Sequence, residues 1–94
     1  MKKEQELWNK YSWAIMGSQR KEVIKFLPDK PITAEELRKK INEKTSLKLS
    51  LREMSRHLTS FVEQEFTKCL NPDAPYNRLY LITDLGKKIR EKLL

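Results

Sequence analysis

Apolar residues recur along this chain first at helical spacing and later at strand spacing. A helix is expected over residues 4 to 16, with Leu7, Trp8, Tyr11 and Ile15 along one side. Ser18 reads as the N-cap of a second helix, whose stripe of Val23, Ile24 and Leu27 is ended by Pro28. Thr33-Ala34-Glu35-Glu36 reads as a capping box, in which hydroxyl and carboxylate satisfy each other's orphan backbone donors. It opens a helix over about 34 to 43 that carries Leu37 and Ile41 on one face. A second such box, Ser50-Leu51-Arg52-Glu53, opens a helix that runs to about residue 64.

Plotted at 100° per residue, that last helix has two unlike halves. Leu51, Met54, Leu58, Phe61 and Val62 gather on one side; Arg52, Arg56, Thr59 and Glu63 lie opposite, flanked by Glu53 and Ser60. The period then drops to two. Phe66 to Leu70 and Arg78 to Thr83 read as strands joined by the turn-rich segment Asn71 to Asn77. Thr83 or Asp84 caps a final helix with Leu85, Ile89 and Leu93 spaced by four. The expected fold is mostly α with a small β-hairpin (α+β). Its order is helix, helix, helix, strand, wing, strand, helix, preceded by an extra N-terminal helical segment. That is the plan of a winged helix-turn-helix, with residues 1–94 as one domain: an extension over 1–16 and a core over 18–94.

Charge narrows the range of partners. The 94 residues carry 20 Lys and Arg against 13 Asp and Glu, a formal charge of +7. Such a surplus on a short chain favours nucleic acid, a membrane surface or an acidic protein. The longest apolar runs, Trp13 to Met16 and Leu79 to Ile82, are too short to span a bilayer, so no membrane partner is expected. The polar start lacks the apolar stretch of a secretory signal, and Cys69 is the only cysteine, so the expected compartment is a reducing cytoplasm.

Two stretches carry a family resemblance. Leu49-Ser50-Leu51-Arg52-Glu53-Met54-Ser55-Arg56-His57-Leu58 resembles the recognition-helix signature, Leu-Ser-three residues-Val-Ser-x-His-Leu, of ArsR- and MarR-like winged-helix repressors. Lys68 to Pro72, followed by Arg78 to Lys87, resembles the wing, strand and Leu-Thr-x-x-Gly-Lys close of small archaeal winged-helix regulators. The resemblance implies a sequence-specific, double-stranded-DNA-binding transcription regulator. Carried over by position, Ser50, Arg52, Ser55, Arg56, Thr59 and Ser60 would face DNA from the recognition helix, and Lys68 and Arg78 from the wing. It also implies that Thr83 caps the last helix and that Gly86 permits close packing. The sequence departs from the pattern at Asp73 in the wing tip, which would repel phosphate, and at Glu63 within the polar face.

Other chemistry finds little support in the sequence. His57 has no second histidine with which to share a metal, so neither a metal nor another cofactor is expected; it reads as a half-buried packing or phosphate-contacting residue. Cys69 reads as a small buried apolar residue. Carboxylates are scattered among lysines, and no phosphate loop or activated nucleophile is present, which argues against an enzyme. The stripe of Leu7, Trp8, Tyr11 and Ile15, joined by Ile89 and Leu93, reads as a homodimer interface, with packing inside the domain as the alternative. The rival function is a winged-helix protein-interaction module. Exposed aromatic or aliphatic anchors on the outer face of residues 51 to 64 would favour that rival, whereas Arg, Ser and Thr there favour DNA.

Overall fold

A computed structural model describes residues 2–94, with residues 2–4 defined by backbone only. Five helices and three short strands follow in the order α1 (Lys2–Ile15), α2 (Ser18–Phe26), β1 (Ile32–Thr33), α3 (Ala34–Lys44), α4 (Leu51–Glu63), β2 (Thr67–Cys69), β3 (Leu79–Ile82) and α5 (Asp84–Leu93). The fold class is α+β, mostly helical, with a small antiparallel sheet. Strand β3 lies at the centre of that sheet. It pairs with β2 in the register Thr67 to Ile82 and with β1 in the register Ile32 to Tyr80. Strand β1 was not expected. Two residues after a proline are too few to show a period of two, and only β3 alongside makes them a strand.

Both capping boxes form. Thr33 Oγ1 accepts from Glu36 N at 3.2 Å, and Ser50 Oγ accepts from Glu53 N at 3.1 Å, with each glutamate bonding back to the cap. Of the two candidates for the last helix, Thr83 is the cap. Ser18 is not a cap. Gly17 occupies that position with extended backbone, Ser18 is already helical, and no side chain caps α2. A Cβ at Gly17 would stand 3.0 Å from Arg20 Cβ in the first turn of α2. Leu27, before Pro28, leaves the helix with extended backbone, as a residue before proline tends to do.

The core joins all five helices and the sheet, with Val23, Ile24, Leu37, Ile41, Met54, Leu58, Phe61, Phe66 and Ile89 fully buried. Helix α1 belongs to it. Ala14 is buried, and the Trp13 ring packs edge-on against Phe61 and Phe66, with centroids 6.0 and 5.7 Å apart. The Arg20 guanidinium lies 3.8 Å from the Trp13 ring centroid and donates to the Trp13 carbonyl at 2.6 Å, locking α1 to α2. The expected apolar stripe of α1 therefore divides. Leu7 and Tyr11 pack on the chain's own core, while Trp8 and Ile15 stay exposed. Ile89 is fully buried and cannot meet a partner, and Leu93 packs against the same core.

Candidate nucleic-acid interface

The turn into α4 is built by side chains. Thr45 Oγ1 donates to the Ile41 carbonyl and accepts from Leu47 N, closing α3. Lys48 takes the left-handed conformation at φ 51°. Asn42 then bonds both backbone groups of Leu49, at 2.8 Å each. Leu49 is buried, so the chain is pinned one residue before the Ser50 cap. At the far end, Glu65 is left-handed at φ 67°, and Phe66 N reaches back to the Phe61 carbonyl at 2.8 Å, which turns the chain sharply into β2.

Between these stops Met54, Leu58 and Phe61 are buried, and Arg52, Ser55, Arg56, Thr59 and Glu63 are exposed on the outside. Ser60 is half-buried. The expected apolar half is narrower than its sequence pattern, because Leu51 and Val62 are 47% and 37% exposed. Both lie at the edge of the apolar arc, beyond the reach of the residues that cover its centre. The Thr59 hydroxyl donates to the Ser55 carbonyl of its own helix at 2.9 Å, so it meets a ligand best as an acceptor. The two arginines of α4 are matched by Glu53 and Glu63, so the surplus positive charge of the chain lies outside this helix.

Two hollows flank α4. The larger, about 410 Å³, is a trough with Leu51, Ser55 and Thr59 on one wall and the Pro75–Arg78 stretch of the β2–β3 loop on the other. The first residues of α3 also line it. The loop holds its own shape. Asn71 Oδ1 accepts from Leu79 N at 2.6 Å, Asn71 Nδ2 donates to the Asn77 carbonyl, and Arg78 Nε donates to the Ala74 carbonyl at 2.9 Å. Tyr76 stands out from the loop, 77% exposed. The smaller hollow, about 280 Å³, lies between α2 and α4 and gathers Gln19, Arg20, Glu53, Arg56, His57 and Ser60.

The residues expected to bind DNA are thus divided. Ser55, Thr59 and Arg78 meet at the trough, and Arg56 and Ser60 at the smaller hollow. Arg52 and the Ser50 cap are exposed at the start of the helix. Lys68 stands apart: it is exposed on β2 opposite Leu81 and lines neither hollow. Cys69 is half-exposed rather than buried, with its Sγ 3.8 Å from Asn71 Oδ1.

Electrostatics follow this packing. His57 Nε2 lies 3.2 Å from Gln19 Oε1, and its ring stacks on Phe61. Burial, followed by the nearby Arg20 and Arg56, pushes the His57 pKa below the usual histidine range, against the opposing pull of Glu53. The Glu53 pKa is held below the usual carboxylate range, chiefly by its hydrogen bonds with Ser50. Among the described residues no three metal-ligating side chains come together, and no helix is long and apolar enough to cross a membrane.

Comparison with family models, curated proteins and solved structures found no match.

Sequence reasoning missed Leu51 and Tyr76 as members of the trough. Helical periodicity assigned Leu51 to the core, and nothing local to Tyr76 marked it as facing α4. Gln19 and Arg20 were missed as well, because only the packing of α2 against α4 brings them beside Arg56.

Proposed function

We propose that this chain is a winged helix-turn-helix domain that binds double-stranded DNA through α4 and acts as a transcription regulator, without catalysis. One observation carries the reading. Arg52 and Arg56 project from the face of α4 opposite its buried residues, and among the described residues neither takes part in an ion pair. An α-helix fits the major groove, and an arginine there can donate two bonds to guanine O6 and N7. Support also comes from the surroundings, since two helices joined by a built turn and flanked by a β-hairpin suit such docking. Basic side chains of neighbouring elements would contact phosphate and fix the register.

A symmetric homodimer belongs to the proposal. Trp8 and Ile15 lie two turns apart on one side of α1, and Trp8 is 63% exposed. Two-fold pairing would set two copies of α4 about 34 Å apart, one turn of DNA.

A second reading, a protein-interaction module, draws support from Leu51 and Tyr76, which are apolar anchors beside the polar face. Gel shifts across a salt series test the first reading. Phosphate contact releases counterions, so log affinity should fall steadily with log salt. Absence of binding to any duplex at low salt would refute it and leave the protein-interaction reading.

A further inference from the structure

We propose that Leu51 is a specificity-determining residue that reads the 5-methyl group of thymine, an inference that rests on the DNA-binding reading of α4. Leu51 is the first residue of the helix, directly after the Ser50 cap. The leading residues of a helix docked in the major groove come nearest to base edges. The domain's own packing leaves nearly half of this large apolar side chain in water, although its spacing from Met54 and Leu58 would suit the core.

Its neighbours match one base. Ser55 lies one turn on, along the same wall of the trough, where residues four apart have Cβ atoms about 5–6 Å apart. In the major groove thymine presents an acceptor, O4, next to its methyl group, and no other base offers that pair. A leucine beside a hydroxyl donor is the complementary arrangement. Across the trough, Pro75 and Tyr76 add apolar surface on the facing wall. Arg52, next in sequence, suits guanine, and together the two residues define a mixed site rather than a purely G·C one. The arginines and hydroxyls around Leu51 favour a nucleic acid over an apolar peptide, which would leave those polar groups unpaired.

The test begins with duplexes selected by the intact protein from a random-sequence pool. Each thymine of the selected site is then replaced in turn by deoxyuridine, which removes the methyl group and keeps O4. At one thymine per half-site or more, the wild-type protein should lose about four-fold in affinity, the effect of burying one methyl-sized group. Leu51→Ala should bind the dT and dU duplexes equally at that position, with its fold checked by circular dichroism. The inference is overturned if the wild-type protein is indifferent to every replacement, an arm that needs no variant to fold. It is equally overturned if Leu51→Ala keeps the full methyl dependence. Failure of any duplex to be enriched would remove the DNA-binding reading itself. Enrichment of a site without methyl dependence removes only the role of Leu51.

Discussion

The Asn42 side chain makes two hydrogen bonds to a single residue seven positions on: its Nδ2 donates to the Leu49 carbonyl and its Oδ1 accepts from the Leu49 amide, each at 2.8 Å. The carboxamide takes the place of a strand neighbour for the backbone of buried Leu49. It thereby sets where α3 ends and where α4 begins. Asn42→Ala leaves both Leu49 groups without partners and should cost about 1–3 kcal/mol in urea unfolding. Asn42→Asp keeps the acceptor but loses the donor, and should fall between the two.

At Gly86, α5 packs tightly against the chain leading into β2 and against β3. A Cβ there would overlap the Phe66 carbonyl oxygen and stand 2.7 Å from Ile82 Cγ1. The oxygen belongs to backbone that already accepts from Thr83 N, so it cannot easily withdraw. Gly86→Ala should destabilise the domain by about 2 kcal/mol or more, read from the urea midpoint. An unchanged midpoint would mean that α5 can shift away from the sheet at little cost.

Arg52→Ala and Arg56→Ala should each lose about 1–3 kcal/mol on a selected duplex and relax its sequence preference, with stability unchanged. Arg78 is exposed but anchored to the Ala74 carbonyl, on the far wall of the trough. Its replacement by Ala should weaken binding to all duplexes alike and lower the salt slope by about one. Measurement on selected and scrambled duplexes separates the two behaviours. Equal loss on both duplexes for the α4 variants would deny α4 the role of reader.

Acid should weaken the fold in two stages. Gln19, Arg20, Arg56 and Glu53 surround His57, whose pKa is lowered on folding, mainly by burial. The unfolded chain therefore takes up the proton more readily, and stability falls as pH drops below the ordinary histidine value of about 6.5. Glu53, Glu35 and Asp29 are likewise lowered, by Ser50, Arg38 and Arg90 in turn. Their contributions are present above the ordinary carboxylate values of about 4 and are lost as pH falls further. His57→Gln should flatten the first stage and leave the second, as read from urea midpoints across this range.

Trp8 packs at a tilt against Tyr11, with centroids 5.8 Å apart, and is otherwise turned outward. If copies of the chain pair through α1, Trp8→Glu should give a monomer in sedimentation while leaving thermal stability nearly unchanged. Should the wild-type protein sediment as a monomer with and without DNA, the dimer is refuted.

Much of this architecture is written locally. The capping boxes at Thr33 and Ser50, the stop before Pro28 and the change of period after Phe66 each depend on residues within a few positions of one another. Local hydrogen bonding and backbone sterics therefore determine the starts of α3 and α4 and the β2–β3 pair from sequence alone. The polar row of Arg52, Arg56, Thr59 and Glu63 was legible for the same reason, since helical spacing alone puts it opposite Met54 and Leu58. Only the tertiary structure decided how far the core extends. It drew Leu7, Tyr11 and Ile89 inward, left Trp8 and Leu51 outside, and made Ile32–Thr33 a strand by pairing it with β3. Spacing tells which residues share a face, but burial depends on what comes to cover that face. The covering elements are distant in sequence: Trp13 meets Phe61 and Phe66, and the loop bearing Tyr76 comes to lie along the Leu51 edge of α4.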